Sequence, residues 1–354
     1  MIAMIIGTPA SATTVMSIIS ESDDSISVLD AMGRTVTIEK PVEKVAIIDA
    51  LPQVASTIQA IGAFDKVIAM DERTEKEKVP SPTSSSSVNV GSSEEPDLER
   101  LIAIDPDLVI VGLYATDDKI KKLESAGFTV LVASVFPTVD EGFEPTRENT
   151  LVLGSILGAQ ERAEEFVNWR DYYLDKIQEN LASLSSAEKP GVMYTYKWDN
   201  NKIYGSGAKN RFHYLLDLLG TTDINADVDG DWAEVELEHL IKENPSVLIF
   251  EEMTHQSGYG KTDPGKMRSD IDSLTSLPGM NSVDAVKQDR IYGLPVSIMT
   301  GDTWLAAIYL APAIHPKLCG DINPDTVHQE YIDKFLQIPF DVKTDGVFLY
   351  PPFN

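Results

Sequence analysis

Aromatic and arginine side chains follow many of the predicted strands, and loops at strand ends are where α/β proteins usually bind ligands. The first half of the chain carries Arg73, Tyr114 and Phe136 at such positions. The second half carries Tyr196, Trp198, Tyr204, Trp232, Tyr259 and Trp304. Flat, stiff side chains offer contact area at a small entropic cost, so these loops are a candidate site for a bulky ligand. Taken singly, each aromatic residue is equally typical of a core or loop anchor.

A glycine-rich segment, GSGAKNR at 205–211, directly precedes a predicted helix. Free backbone N–H groups at that position, together with Arg211, could bind a carboxylate or phosphate arm of a ligand. Arg73 and Arg211 could also face one anionic ligand together. Glycine before a helix is often only a turn, so both interpretations stay open.

Metal-ligating residues are sparse in this sequence. The five histidines have no close metal spacing, and the single cysteine, Cys319, excludes cysteine-rich zinc and iron–sulfur sites. His255, near Glu251 and Glu252, is a weak metal candidate. We therefore predict no metal site formed by the chain and no cofactor.

Catalytic motifs are missing from the sequence. It contains no G-x-S-x-G elbow, and neither a P-loop nor a G-x-G-x-x-G motif follows a predicted strand. Glu251 and Glu252 are adjacent, so on a strand they point to opposite faces. We expect a protein that is not an enzyme, with catalysis in a cleft as the less favoured alternative.

Length and charge narrow the class of protein further. The 354 residues suffice for two ordinary domains. With 29 basic and 56 acidic residues, the formal charge of −27 repels nucleic acid and anionic membranes. We expect no nucleic-acid partner and a monomer whose negative surface mainly keeps it solvated.

An internal repeat is the most informative pattern. Segment 98–111 reads LERLIAIDPDLVIV and segment 237–250 reads LEHLIKENPSVLIF, an offset of 237 − 98 = 139 residues. Each predicts a short helix, a proline-bearing turn and a strand buried on both faces. The aligned identities are Leu98/Leu237, Glu99/Glu238, Leu101/Leu240, Ile102/Ile241, Pro106/Pro245 and Ile110/Ile249. The repeat predicts one equivalent α/β unit in each of two similar lobes.

Long helical segments lie between the two copies of the repeat. A helix is predicted over 147–157, with Gly158 as its C-cap, and a second over 160–183 whose length of about 35 Å spans a small domain. The predicted fold class is α/β, with two lobes of mainly parallel sheets flanked by helices and joined by one long inter-lobe helix. The predicted regions are a signal or disordered N-terminus over 1–24, an N-terminal lobe over 25–145, linking helices over 146–185 and a C-terminal lobe over 186–354.

Four segments, in order, carry a resemblance to a known family. They are DAMGRTVTIEKPVEKVAII at 30–48, LERLIAIDPDLVI at 98–110, LPGMNSVDAVKQDRIYGLP at 277–295 and IHPKLCGDINPDTVHQEYIDKFL at 314–336. Together with the linking helix they resemble the iron-chelate and cobalamin family of ABC solute-binding proteins, of the helical-backbone class. The resemblance covers about residues 26–340.

The resemblance implies a ligand cleft between two lobes and one carboxylate on each lobe for arginines of the membrane permease. The matching positions are Glu99 and Glu238, each seven residues before its proline, and Trp232 stands six residues before Glu238, as in the cobalamin-binding members. A carboxylate suits this role because it accepts a bidentate hydrogen-bonded pair from arginine. Both glutamates are also compatible with ordinary exposed helix positions.

The sequence therefore predicts an exported, extracytoplasmic solute-binding protein. It would deliver a ferric siderophore-like complex or a corrinoid to an ABC permease and its ATPase. Ala10-Ser11-Ala12 resembles a cleavage site after an apolar start, which supports export. An envelope sensor or storage protein for a metal chelate is the alternative, because it would use the same kind of cleft without a permease.

Overall fold

The computed structural model describes residues 15–49, 51–77, 87–112, 116–137, 142–199, 201–210 and 212–352. It divides into two compact units, which are described separately. The first unit comprises Met1–Phe136 and Glu144–Val167, and the second comprises Pro137–Phe143 and Asn168–Asn354. The predicted site residues Tyr114 and Arg211 lie outside the described residues.

The first unit opens with an antiparallel sheet. Its strands, in the order β1-β2-β3, are β1 (Ser17–Glu21), β2 (Ser25–Leu29) and β3 (Thr35–Glu39). The turn between β2 and β3 contains Gly33 at φ +73°, a left-handed conformation that glycine adopts readily in hairpin turns. Strand β1 lies inside the 1–24 segment that the sequence assigned to a signal or disordered N-terminus. It is nevertheless ordered, because it pairs with β2 from Ser17 to Glu21.

A parallel sheet forms the centre of the first unit. Its described strands, in the order β6-β5-β4-β7-β8, are β4 (Val45–Ile48), β5 (Val67–Met70), β6 (Val88–Asn89), β7 (Leu108–Val111) and β8 (Val130–Val132). Strands β4, β7 and β8 are buried along their whole length. Uninterrupted valine, isoleucine and leucine runs suit such strands, since helices cover both faces of parallel sheets.

Five helices lie in the described part of the first unit, and those predicted near 98–104 and 147–157 are among them. They are α1 (Gln53–Ala60), α2 (Glu72–Glu77), α3 (Leu98–Ile104), α4 (Asp117–Ser125) and α5 (Glu144–Ile156). Helix α6 (Gln160–Leu181) runs for 22 residues from the first unit into the second. The predicted C-cap, Gly158, adopts φ +68°, the left-handed conformation that glycine tolerates at a helix end.

The second unit has a mixed sheet. Its described strands, in the order β12-β10-β9-β13-β15, are β9 (Gly191–Asp199), β10 (Lys202–Ser206), β12 (Trp232–Glu236), β13 (Val247–Glu252) and β15 (Ile291–Pro295), with β11 (Thr222–Asp223) paired to β9. Strands β9, β13 and β15 are parallel, whereas β10 is antiparallel to both β9 and β12. A separate pair joins β14 (Gly258–Tyr259) to β16 (Gly346–Val347).

Helices pack around this mixed sheet. They are α7 (Phe212–Leu218), α8 (Leu237–Glu243), α9 (Gly265–Thr275), α10 (Asp284–Lys287), α11 (Thr303–Ile314), α12 (Pro324–Tyr331) and α13 (Val342–Asp345). One turn of π-helix precedes α11 at Ser297–Gly301, and another continues α12 at Ile332–Leu336. A search of the described residues found no helix with the length and apolar character that a membrane span requires.

Candidate functional site

The internal repeat folds into two matching corners, one in each unit. Helices α3 and α8 both have seven residues, and each ends in a left-handed C-cap, at Asp105 (φ 49°) and Asn244 (φ 46°). In each corner the N–H of the C-cap residue donates a hydrogen bond of 3.0 Å to the carbonyl four residues earlier. The acceptor is Leu101 in the first unit and Leu240 in the second. A proline and a buried strand, β7 or β13, then follow. The two segments therefore have the same local structure.

Glu99 and Glu238 occupy the same position in these corners. Each is the second residue of its helix, and each side chain is exposed. Negative charge is favoured there because the first turn of a helix carries partial positive charge. The leucines two residues further on, Leu101 and Leu240, are fully buried and hold each helix against its own unit. Each corner thus presents one carboxylate on a well-anchored short helix.

Three aromatic side chains form a half-exposed surface on the second unit, here called the aromatic face: Tyr196, Tyr204 and Trp232. The ring centroids of Tyr196 and Trp232 lie 5.0 Å apart in an edge-to-face arrangement, and those of Tyr196 and Tyr204 lie 6.5 Å apart. Trp232 is 38% exposed, an unusual value for a large apolar side chain. The structure therefore brings together Tyr196 and Trp232, two of the predicted ligand residues.

A β-bulge separates Trp198 from this surface. Tyr204 pairs with Lys197 and Gly205 with Thr195, so Tyr196 is an extra residue in β9. A bulge of this kind reverses the alternation of side chains along a strand. Trp198 consequently points to the other face of the sheet, where it packs edge-to-face on Phe250 at 6.0 Å.

Acidic groups surround the aromatic face. Glu234 lies opposite Tyr204 on the neighbouring strand and pairs with Lys202. Another cation, Lys197, lies with its Nζ 4.5 Å from the centre of the Tyr204 ring. Partial burial, together with the nearby Tyr204 and Glu234, raises the pKa of the Tyr196 hydroxyl above its usual value.

Two other predicted ligand residues are engaged inside the second unit. The Tyr259 hydroxyl lies 2.9 Å from Nε2 of His328, which is itself fully buried. Trp304 is 5% exposed, and its ring packs edge-to-face on those of Trp169 and Tyr331. These contacts are those of core residues, and the structure does not bring Tyr259 or Trp304 into the aromatic face.

Within residues 205–210, the part of the glycine-rich segment that the structure describes, the backbone forms no anion cradle. The N–H groups of Gly207, Ala208 and Lys209 donate to backbone carbonyls in the 228–231 loop at 2.7–3.0 Å, and Asn210 N–H donates to Gly207. These N–H groups are therefore not free, contrary to the expectation for this segment. An added Cβ at Gly207 would lie 2.5 Å from the carbonyl oxygen of Gly230, so glycine is present there for close packing.

Two buried aspartates follow strands of the first unit. Asp71, after β5, accepts hydrogen bonds from the N–H groups of Asp49, Arg73 and Thr74 at 3.0–3.1 Å. Asp49, after β4, accepts from the N–H of Val54 at 3.3 Å. Burial chiefly raises the pKa of Asp49 well above its usual value, and the nearby Asp71 adds to this. A Cβ at Gly112 would lie 1.4 Å from Oδ1 of Asp49, so only glycine fits there.

The cations at this end of the first unit lie among carboxylates. Partial burial lowers the pKa of Lys119, while the charges of Glu94, Asp71 and Asp49 act in the opposite direction. Arg73, a predicted ligand residue, is exposed two positions after Asp71. Phe136, the other predicted residue described in this unit, is 4% exposed.

The buried acids at the end of β13 are fully engaged. The hydroxyls of Tyr194 and Thr300 donate to Glu251. Glu252 accepts from the N–H groups of Thr254, Gln256 and Ser257. The hydroxyls of Thr254 and Ser257 also donate to Glu252. Burial works against ionisation of Glu252, but these two hydroxyls, with the N–H groups of Thr254 and Gln256, hold its pKa below the usual value.

The weak metal candidate His255 is exposed on the loop that follows β13. Across the described ranges, no three histidine, cysteine, aspartate or glutamate side chains are placed to hold a metal ion.

Sequence reasoning missed Asp49, Asp71, Lys119 and Lys197. Both aspartates directly follow predicted strands, and that position was a usable signal. Lys119 and Lys197 carried no such signal, because their placement depends on a helix N-terminus and on the bulge in β9.

Comparison with known proteins gives a family match. The family described as periplasmic binding protein matches residues 47–297. An uncharacterized ABC transporter substrate-binding lipoprotein, YvrC of Bacillus subtilis, is 25% identical over 281 residues, which is 78% of this chain and 80% of the relative. Relatives described as binding iron(III) citrate, petrobactin and cobalamin are 22%, 21% and 23% identical.

Solved structures show the fold. The molybdate-binding protein MolA of Haemophilus influenzae aligns with a TM-score of 0.72 at 16% identity, covering 89% of this chain and 98% of that protein. A TroA-like periplasmic binding protein, FepB of Veillonella parvula, aligns with a TM-score of 0.73 at 18% identity, covering 91% and 98%. These likenesses confirm the predicted α/β fold class.

Proposed function

The chain belongs to the periplasmic binding protein family, and from that premise we propose that it carries a chelated metal or a corrinoid to an ABC importer. The expected family, the extracytoplasmic location and a binding role without catalysis are confirmed by this membership and by the relatives. Because those relatives are ABC substrate-binding proteins, the partner is an ABC permease and the cargo is a small molecule.

The observation that carries the proposal is the pair of matching corners. Glu99 and Glu238 are exposed, sit in the first turn of equivalent helices and belong to different units. The first turn of a helix favours negative charge, but an exposed charge there contributes only about 0.3–1 kcal/mol, and aspartate or glutamate would serve equally. Two carboxylates on rigid corners would give the permease two arginine contacts and hence a defined orientation.

The ligand class is supported by the aromatic face. Tyr196, Tyr204 and Trp232 offer a half-exposed aromatic surface that suits a ligand larger than a bare ion. The names of the relatives give different ligands, among them iron(III) citrate, cobalamin and molybdate. A chelate or corrinoid fits this surface better than an oxyanion, which needs a few converging N–H donors. Ligand contacts from four other residues stay a proposal: Arg73, Tyr114, Phe136 and Arg211. The location of the ligand in a cleft between two lobes also stays a proposal.

Charge reversal at the two corners tests the docking proposal. We predict that the double variant Glu99→Lys, Glu238→Lys abolishes uptake in a strain that lacks the native protein. Ligand affinity of the purified variant should stay within about twofold of wild type, because both side chains are exposed and serve the permease. Uptake of radiolabelled ligand and equilibrium titration measure the two quantities.

A matched control uses Glu161 and Glu179, which are exposed on α6 with one in each unit. The double variant Glu161→Lys, Glu179→Lys makes the same change in net charge and should transport normally. Normal transport by the Glu99/Glu238 variant would remove the docking assignment. The sensor or storage alternative would be favoured if a strain that lacks the permease retained as much ligand in its envelope as a strain that has it.

A further inference from the structure

Asp302 occupies the N-cap position of α11, but its side chain does not cap that helix. An N-cap aspartate normally accepts a hydrogen bond from the second or third N–H group of its helix. Asp341 does so at the start of α13, where its side chain accepts from the N–H groups of Lys343 and Thr344 at 2.9 and 3.2 Å. The side chain of Asp302 makes no such bond. Asp302 is instead only 6% exposed, so its carboxyl group lies inside the second unit.

The surroundings of this buried carboxyl group favour its neutral form. Burial raises the pKa of Asp302 to about 7, although hydrogen bonds with Trp304 and Tyr331 act in the opposite direction. In the part of the chain that the structure describes, Oδ2 of Asp302 has no hydrogen-bond partner. A carboxylate is costly to bury without a cation, whereas a protonated carboxyl group is much easier to bury.

Aromatic titratable groups face Asp302 from the elements packed around it. Burial raises the pKa of Tyr259 in β14 and of Tyr331 in α12, and the charge of Asp302 adds to both effects. Behind them lies the buried His328, which packs edge-to-face on the Tyr259 ring and lies 3.0 Å from the hydroxyl of Tyr309 in α11. All of these groups are neutral at ordinary pH, so none of them balances a negative charge.

Charged side chains near these elements are engaged with other partners. The π-turn before α11 and α11 itself contain no other acidic or basic residue. On α6, Arg170 pairs with Asp171 at 2.7 Å. Glu330 of α12 accepts a hydrogen bond from Nε1 of Trp169 at 2.7 Å. Among the described residues, no lysine or arginine contributes to the pKa shift of Asp302, so its ionised form has no counter-ion in the buried position.

The π-turn before α11 connects Asp302 to the end of a central strand. The N–H of Asp302 closes this turn on the carbonyl of Ser297 at 3.0 Å. Within the turn, the hydroxyl of Thr300 donates to Glu251 at the end of β13 at 2.6 Å. π-turns are rare and occur often at functional sites. A movement of Asp302 would therefore reach the end of β13 through one turn of the chain.

We propose that Asp302 is a proton-operated switch in the second unit. In the protonated form, its carboxyl group stays buried beside Trp304 and Tyr331. When the proton leaves to solvent, the carboxylate turns to the first N–H groups of α11, where the positive end of the helix stabilises it, and the π-turn loosens. The inference concerns the second unit alone and is independent of the cargo and of the permease.

The direction of the pH dependence follows from the two protonation states. The pKa of Asp302 is about 7 in the folded chain, against an ordinary value of 3.8, so the folded chain binds more protons between these values. The free energy of unfolding of wild type, relative to the Asp302→Asn variant, should therefore fall as pH rises from about 4 to 7 and stay level above that. His328 acts in the opposite direction, and comparison with the variant isolates Asp302.

The test is hydrogen exchange of the full chain, read by mass spectrometry on peptides that cover 296–305, from about pH 5.5 to pH 8.5. After correction for the intrinsic effect of pH, we expect exchange to become at least about fivefold faster, with a midpoint near pH 7. Infrared difference spectra should show the C=O band of a protonated carboxyl group disappearing over the same range. Asp302→Asn, which is neutral and nearly isosteric, should show neither change.

Asp341→Asn is the matched control, because Asp341 is an exposed N-cap aspartate in the same unit. It should keep the wild-type exchange profile over 296–305. The switch is overturned by a wild-type profile without a step, by infrared spectra in which no carboxyl group titrates near pH 7, or by a step that persists in Asp302→Asn. Localised exchange in wild type decides the question even if Asp302→Asn does not fold.

Discussion

Among individual residues, His328 illustrates how the second unit buries a titratable group. Its Nε2 lies 2.9 Å from the Tyr259 hydroxyl and its Nδ1 lies 3.0 Å from the Tyr309 hydroxyl. A neutral imidazole has one donor and one acceptor nitrogen, so two hydroxyls satisfy it completely. Burial lowers the pKa of His328 to about 3. The ring therefore stays neutral inside the folded unit at ordinary pH.

This burial predicts an acid-sensitive step in stability. The pKa of His328 is about 3 when folded, against an ordinary value of 6.5, so the unfolded chain binds more protons between these values. The contribution of the buried neutral His328 to the free energy of unfolding is fully present above pH 6.5. That contribution is lost as pH falls toward 3, by an amount on the order of 4–5 kcal/mol.

The matched variant is His328→Gln, whose amide keeps one donor and one acceptor but does not titrate. Denaturant unfolding from pH 7 to pH 4 should show a steeper loss of stability in wild type than in the variant. Parallel pH profiles for the two proteins would contradict the account of a buried neutral imidazole.

Individual residues also show what could not be predicted from the sequence. The sequence singled out the loop and strand-end aromatics as a group, but the surroundings of each side chain were not predictable. Strand alternation places Tyr196 and Trp198 on one face, and the bulge in β9 separates them. Trp304 lies in α11 and Tyr259 in β14, and their partners Trp169, Tyr331 and His328 come from α6 and α12, which no local pattern predicts.

Among the elements, the two corners differ at their N-caps although their helices match. The Asp97 side chain accepts a hydrogen bond from the N–H of Arg100 at the start of α3. The equivalent residue at α8, Glu236, makes no such bond. Aspartate is short enough to reach a first-turn N–H, whereas glutamate is not favoured as an N-cap.

This difference supplies an internally controlled prediction. Asp97→Ala should lower the free energy of unfolding by about 1 kcal/mol, because a helix N–H loses its acceptor. Glu236→Ala should change it by less than about 0.5 kcal/mol. Chemical denaturation measures both, and an equal cost for the two substitutions would show that the cap bond at α3 contributes nothing.

Elements were the most predictable level of this molecule. Hydrophobic runs bounded by glycine and proline located most helices and strands, and Gly33, Gly158 and Pro106 marked real turns and ends. The antiparallel half of the second sheet was not foreseen, because local patterns do not state which strands pair. Strand β1 was missed because an apolar start of the chain resembles an export signal.

At the scale of the whole molecule, the formal charge of −27 affects how fast charged molecules approach the protein. Long-range fields of this size slow the encounter of anions and favour neutral or cationic solutes, most strongly at low salt. The same field would attract a permease whose docking surface is rich in arginine, because positive charge on the permease would then face negative charge on this protein. Charge at this scale therefore favours the proposed docking partner.

Native mass spectrometry of the protein, incubated with the low-molecular-weight fraction of its own host and desalted, tests the central claim most directly. The account predicts one small molecule bound per chain, with the exact mass of a cobalt complex or the mass and isotope pattern of an iron complex, and recovery of that molecule unchanged after denaturation. Release of a chemically altered product, or a bound species that contains no metal, would contradict it.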